Sequence, residues 1–120
     1  MKRRRLVLSD AAIADILEQA DWYAVRSGRR LAQRWETAVH AAISQAREHP
    51  ASGAVCAFSA PELQDLRRLL VAGFPKYLLF YQFSDEEAFI LRVVHGARDL
   101  EGLLLANSKR GTRRKSPKSN

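Results

Sequence analysis

The chain is 120 residues long, 47% hydrophobic, with one cysteine, which allows one domain with its own core and excludes an internal disulfide or a cysteine-based metal cluster. Its formal net charge is +7, yet ten of its twenty Lys and Arg residues lie in residues 1–5 and 107–120, leaving residues 6–106 at a net −3. That distribution argues against a compact basic nucleic-acid domain, whose charge would spread over a folded face.

Residues 1–5 are basic, but the apolar run after them, Leu6-Val7-Leu8, is too short for a signal-peptide core. No apolar run approaches the ~20 residues of a membrane span. A cytoplasmic location is expected.

Residues 4–8 are expected to form a first strand. Ser9 or Asp10 can cap the helix that follows, residues 11–27. Its apolar stripe reads Ile13, Ile16, Leu17, Ala20, Tyr23 and Ala24, with Asp15, Glu18 and Asp21 off the stripe. Ser27-Gly28 breaks it. A second helix spans 29–49, with a stripe of Leu31, Trp35, Ala38, Val39, Ala42, Ile43 and Ala46, and Pro50 stops it. The short break makes the two a helical hairpin.

Residues 54–65 lack periodicity and read as a loop, with one helical turn at 61–65, since Pro61 forbids a central strand. Residues 66–71 read as a strand and 73–75, Gly-Phe-Pro, as a turn. The best-marked feature is a β-hairpin. Residues 77–83 and 88–94 are two apolar runs joined by Ser84-Asp85-Glu86-Glu87. The second run passes into His95-Gly96-Ala97-Arg98-Asp99. Gly96 is expected to take an angle other residues resist, and Asp99 to cap a short helix at 100–106. Residues 107–120 hold Ser, Gly, Pro, Lys and Arg and are expected to be a disordered basic tail.

The fold class is therefore α+β: a single domain over 1–106, with an N-terminal strand, a helical hairpin packed on a small antiparallel β-sheet and a short C-terminal helix. The first strand belongs at an edge or beside the last strand.

There is no Gly-rich phosphate loop. His40, His49 and His95 have no metal-type partner at i+3 or i+4, so no metal or cofactor is expected. Cys56, between apolar neighbours, reads as a packed residue. His95 reads either as a hydrogen-bonded residue at the sheet exit or as a general base. Arg67, Arg68, Arg92 and Arg98 either converge on one end of the sheet as an anion-binding patch or pair with Asp65, Asp99 or Glu101. Tyr77 and Tyr81 share a strand face and read as half-buried packing.

These pieces together resemble the RelE/ParE superfamily of type II toxin–antitoxin toxins, closest to the ParE branch. The likeness covers about residues 6–104. It rests on Ala12 with Asp15-Ile16, Pro50 with Gly53, Leu66-Arg67, Leu79-Phe80-Tyr81 and, most specifically, residues 90–99, ILRVVHGARD. The resemblance implies the fold derived above and a toxin held inactive by a cognate antitoxin in a hetero-oligomer. ParE-type members poison DNA gyrase. RelE-type members cut ribosome-bound mRNA without a metal, the 2′-hydroxyl attacking the adjacent phosphate.

Arg98 falls where RelE-like toxins carry a phosphate-binding arginine. Two other nuclease positions are apolar here, at about Leu78 and at Leu103-Leu104. The expected target-binding residues are therefore Arg67, Arg68, Arg92, His95 and Arg98, with gyrase as target. The alternative is a ribosome-dependent nuclease using Arg68, Arg92, His95 and Arg98. An acidic antitoxin segment is expected to meet the four arginines, with its apolar residues on the helical hairpin.

Overall fold

The computed structural model describes residues 3–96 and 99–106. Arg98 and the tail at 107–120 lie outside the described residues. The first strand, β1 (Arg5–Leu8), leads into α1 (Asp10–Ser27) and α2 (Arg29–Glu48). After a 3₁₀ turn at Pro50–Ser52 come β2 (Ala54–Val55), a second 3₁₀ turn at Pro61–Leu63, β3 (Arg67–Val71), β4 (Phe74–Phe83), β5 (Glu87–His95) and α3 (Leu100–Ala106).

The five strands form one sheet in the order β1-β5-β4-β3-β2. The pairs from β2 to β5 are antiparallel, as expected. The sheet as a whole is mixed, because β1 runs parallel to β5, with Leu6 opposite Ala88 and Leu8 opposite Ile90. A strand that feeds a helix packed over the sheet need not reverse against its neighbour as a hairpin strand must. So β1 is both at an edge and beside the last strand.

Ser9 makes the transition from β1 to α1. Its Oγ accepts from the Ala12 N–H (2.9 Å) and donates to the Leu91 carbonyl (2.6 Å). One buried hydroxyl thus caps the helix and holds its start to β5. Between the helices, Gly28 has φ 98°, a region that favours glycine, so the chain turns without strain. The Trp35 Nε1–H then donates to the Ile16 carbonyl at 3.1 Å, tying α2 to α1.

The sheet is covered on both faces. On one face, α1 and α2 bury Ala12, Ala20, Trp35, Val39, Ala42 and Ala46 against Val71, Leu79, Tyr81, Ile90 and Val93. On the other, α3 and the segment after β2 bury Cys56, Leu63, Leu66 and Leu104 against Phe80, Phe89, Leu91 and Val94. This two-sided cover explains the nearly continuous apolar character of β4 and β5.

Three local expectations are corrected. The stripe of α1 is rotated: Ala12, Ile16, Ala20 and Tyr23 face the core, while Ile13 and Leu17 remain 43% and 54% exposed. Residues 54–65 are not wholly a loop, since Ala54 and Val55 pair with Arg68 and Arg67. The β3–β4 turn lies at Ala72-Gly73, with Gly73 at φ 85°, and Pro75 sits within β4. Proline is tolerated there because the register jumps from Leu70↔Leu78 to Val71↔Phe74, so Pro75 has no ladder partner.

Gly96 is corrected too. It is not among the described glycines with positive φ. Its backbone N–H donates to the Lys76 carbonyl at 2.8 Å, and a Cβ there would lie 3.2 Å from a Leu78 methyl. Close approach, rather than an unusual backbone angle, suits glycine to this exit.

Candidate functional site

The sequence placed its candidate residues on the late strands, and the sheet register decides where they go. Arg67 and Arg68 are adjacent in β3, so their side chains leave opposite faces. Arg67 is on the helix-hairpin face. Its Nη1 donates to the carbonyls of Gly53 (2.8 Å) and Ala51 (3.2 Å), and its guanidinium lies 5.7 Å from the Phe83 ring centre. Arg68 is exposed on the other face, with Nη1 4.0 Å from the Cys56 sulfur. Burial pushes the Cys56 thiol up, against the lowering effect of Arg68. That favours the neutral packed thiol expected from its neighbours.

Arg92 is drawn inward. The pairing of β4 with β5 shifts at Phe80↔Arg92 and Tyr81↔Ile90, leaving Leu91 as an extra residue in β5. Such a bulge re-aims side chains. Arg92 here reaches α1, where Nε and Nη2 donate to the two Asp15 carboxylate oxygens, each at 2.7 Å. The Val93 N–H adds a 3.0 Å bond to the same carboxylate. The bonds to Asp15 push the Arg92 guanidinium up, outweighing desolvation. The ion pair that the described residues show for Arg92 is with Asp15, where the expectation named Asp65, Asp99 or Glu101.

Tyr81 is fully buried rather than half-buried. Its hydroxyl donates to the Pro50 carbonyl (2.5 Å) and accepts from the Gly53 N–H (3.1 Å). Burial pushes the phenol up. The Pro50–Gly53 corner is thus pinned by Tyr81 from within and Arg67 from the edge. Tyr77, half-buried, meets Trp35 at 5.1 Å and His95 at 5.3 Å between ring centres.

Among the described residues, then, the expected basic patch does not assemble. Arg67 and Arg68 diverge to opposite faces, and Arg92 is held by Asp15. His95 lies instead at an open cleft of about 370 Å³ between α1 and the ends of β4 and β5. Asp15, Glu18, Gln19, Trp22 and Tyr23 of α1 line it, facing Tyr77, Val93, Val94 and His95. The reading of α1 for its apolar stripe missed this wall. Asp15, Gln19 and Trp22 sit at i, i+4 and i+7, one helical face of polar and aromatic character. A second groove, about 690 Å³, runs along the outer side of the helical hairpin between Ile16, Leu17, Gln33, Glu36, Thr37 and His40. No group of three metal-ligating side chains occurs among the described residues.

The topology can now be set beside known proteins. Residues 6–100 match the family model described as the ParE toxin of the type II toxin–antitoxin system parDE. The chain belongs to this ParE toxin family. Comparison with curated proteins gives no match. Among solved structures, the chain resembles one from a chromosomal ParDE toxin–antitoxin system of P. aeruginosa, with a TM-score of 0.63 and 20% identity. That likeness covers 77% of this chain and 95% of the other, and it shows the shared fold. The family match runs from residue 6 to residue 100, so it takes in β1 from Leu6, all of β2 to β5 and both walls of the His95 cleft, and stops at the first residue of α3. No described helix is long and apolar enough to cross a membrane.

Proposed function

We propose that this ParE-family chain is a growth-inhibiting toxin that acts by binding DNA gyrase and is neutralised by a cognate antitoxin. The observation that carries the reading is the family match over residues 6–100. The placement of the basic residues supports binding over ribonuclease chemistry. A metal-independent nuclease needs several groups around one phosphate. Arg68 and Arg92 leave opposite sides of the sheet, and Arg92 is already engaged with Asp15. Leu78, Leu103 and Leu104 stand at the positions where RelE-like toxins place polar groups; Leu104 is buried in the cluster between α3 and the sheet, and Leu78 and Leu103 pack against it.

The antitoxin reading gains support from the outer face of the helical hairpin. Ile13 and Leu17 are exposed one turn apart beside the second groove, a fit for the apolar positions of a partner segment. Of the arginines expected to meet its acidic residues, Arg68 is the exposed one among the described residues, so the electrostatic share of that contact is small.

The test is expression without the antitoxin. Growth arrest, a DNA-damage response and loss of gyrase supercoiling are expected. Rapid mRNA cleavage at ribosomes with supercoiling intact would move the assignment to the RelE-like nuclease. Harmless expression of folded protein would mark an inactive relative.

A further inference from the structure

The cleft beside His95 has a chemistry that the toxin assignment leaves unused. Three aromatic rings, Trp22, Tyr23 and Tyr77, line it together with the carboxylates of Asp15 and Glu18. Asp15 is saturated by Arg92 and the Val93 N–H. Glu18 is different. It is exposed, and among the described residues no direct hydrogen bond or ion pair reaches its carboxylate. Trp22 stands half out in solvent, 51% exposed, at the same wall. The ring and the carboxylate thus stand together on one wall of the same cleft.

The charge and ring content select the occupant. A carboxylate or phosphate would meet Glu18 as a like charge, Asp15 being already paired with Arg92. An apolar side chain would leave Glu18 desolvated without a partner. A guanidinium satisfies both surfaces, since it stacks flat on an aromatic face while its N–H groups reach a carboxylate. The Trp22 ring already attracts one: the Arg26 guanidinium lies 5.0 Å from its centre. Arg26 is not part of the cleft lining, so that contact leaves the cleft itself open.

We propose that this cleft is a socket for one arginine side chain of a protein partner, held by the Glu18 carboxylate and the Trp22 and Tyr77 rings. The socket stands on the cleft alone and does not depend on gyrase being the target.

The test uses the full chain, labelled with ¹⁵N, titrated with N-acetyl-arginine methylamide and, in parallel, the norleucine analogue. The Trp22 indole N–H reports from the cleft. The Trp35 indole N–H, buried and bonded to Ile16, is the internal control. Saturable shifts at Trp22 and His95 with the arginine probe, absent with norleucine and absent at Trp35, are expected. Trp22→Ala and Glu18→Gln should each weaken binding, by roughly two- to fivefold for loss of an exposed cation–π contact. Both sites are exposed, so the variants should fold, and the dispersed Trp35 signal verifies it. Equal shifts with norleucine, or affinity unchanged in Glu18→Gln, would overturn the proposal. Arginine binding that emerges only after deletion of residues 107–120 would assign the cleft to the chain's own basic tail and overturn it as stated.

Discussion

Arg92 and Asp15, 77 residues apart, face each other through two parallel 2.7 Å hydrogen bonds between β5 and α1. Their side chains are 12% and 10% exposed, so the pair is nearly dry. Removing one member strands the other charge, at a cost on the order of 3–5 kcal/mol. Arg92→Ala is therefore expected to lower stability by that order in urea unfolding. Arg92→Lys should restore little, because an ammonium cannot reproduce the fork. A stably folded Arg92→Ala that has lost only toxicity would return Arg92 to the target-binding surface.

The Tyr81–Gly53 contact gives a second prediction. A Cβ on Gly53 would fall 2.2 Å from the Tyr81 hydroxyl oxygen and 2.9 Å from the ring. Tyr81 is held by the whole core and cannot move aside. Gly53→Ala should cost about 1–3 kcal/mol, typical of overpacking. Adding Tyr81→Phe removes the closest atom, so the double variant should lose less than the sum of the two single losses. Additive losses in thermal unfolding would show that the corner relaxes independently of Tyr81.

Tyr81 also sets a pH dependence. Burial raises its pKa in the folded state. An unfolded tyrosine ionises near about pH 10, where the folded chain still holds the proton. Stability from this group is thus fully present below about pH 10 and falls as pH rises through the higher folded value. Tyr81→Phe should be less stable at neutral pH, having lost the bonds to Pro50 and Gly53, yet decline less steeply above pH 10. Parallel stability curves for the two chains would contradict this.

The elements were legible in the sequence because local signals agreed with tertiary need. The periodicity of α2 matched its buried face from Leu31 to Ala46, and the two apolar runs around residues 84–87 became β4 and β5. The mixed sheet was not legible, since nothing in Leu6-Val7-Leu8 encodes the direction of its neighbour. The site was less legible still. Arg92 reads as an available cation in sequence, but a one-residue bulge at Leu91 aims it at Asp15, and bulges leave no pattern in a continuous apolar strand. Ile13 and Leu17 read as core because helical spacing finds an apolar face without saying what covers it.

That exposed pair supplies a prediction on the antitoxin. Leu17→Glu should leave stability within about 0.5 kcal/mol, because the site is a surface one. It should weaken toxin–antitoxin association by tenfold or more if an apolar partner residue sits there, the order expected for loss of an interface anchor. Isothermal titration with the cognate antitoxin measures this. Unchanged affinity would place the antitoxin on another face.

The last prediction sets Arg98 against the basic tail. Arg98 lies inside the family-matched span of residues 6–100, whereas residues 107–120 lie beyond it. It follows Gly96, whose N–H is anchored on the Lys76 carbonyl, so the chain leaves β5 from a fixed point. The resemblance matches Arg98 to the phosphate-binding arginine of RelE-like toxins, and it is the one basic residue that both branches could use. The tail carries six Lys and Arg residues and no acid, a composition that attracts any polyanion without selectivity and is screened by salt. Arg98→Ala should therefore reduce toxicity more than deletion of residues 107–120, with circular dichroism unchanged in both. Any contribution of the tail should fade as ionic strength rises in a gyrase assay, while that of Arg98 should persist further. Full toxicity in Arg98→Ala beside a harmless tail deletion would move the functional surface away from the end of β5, toward the helical hairpin and its exposed Ile13 and Leu17.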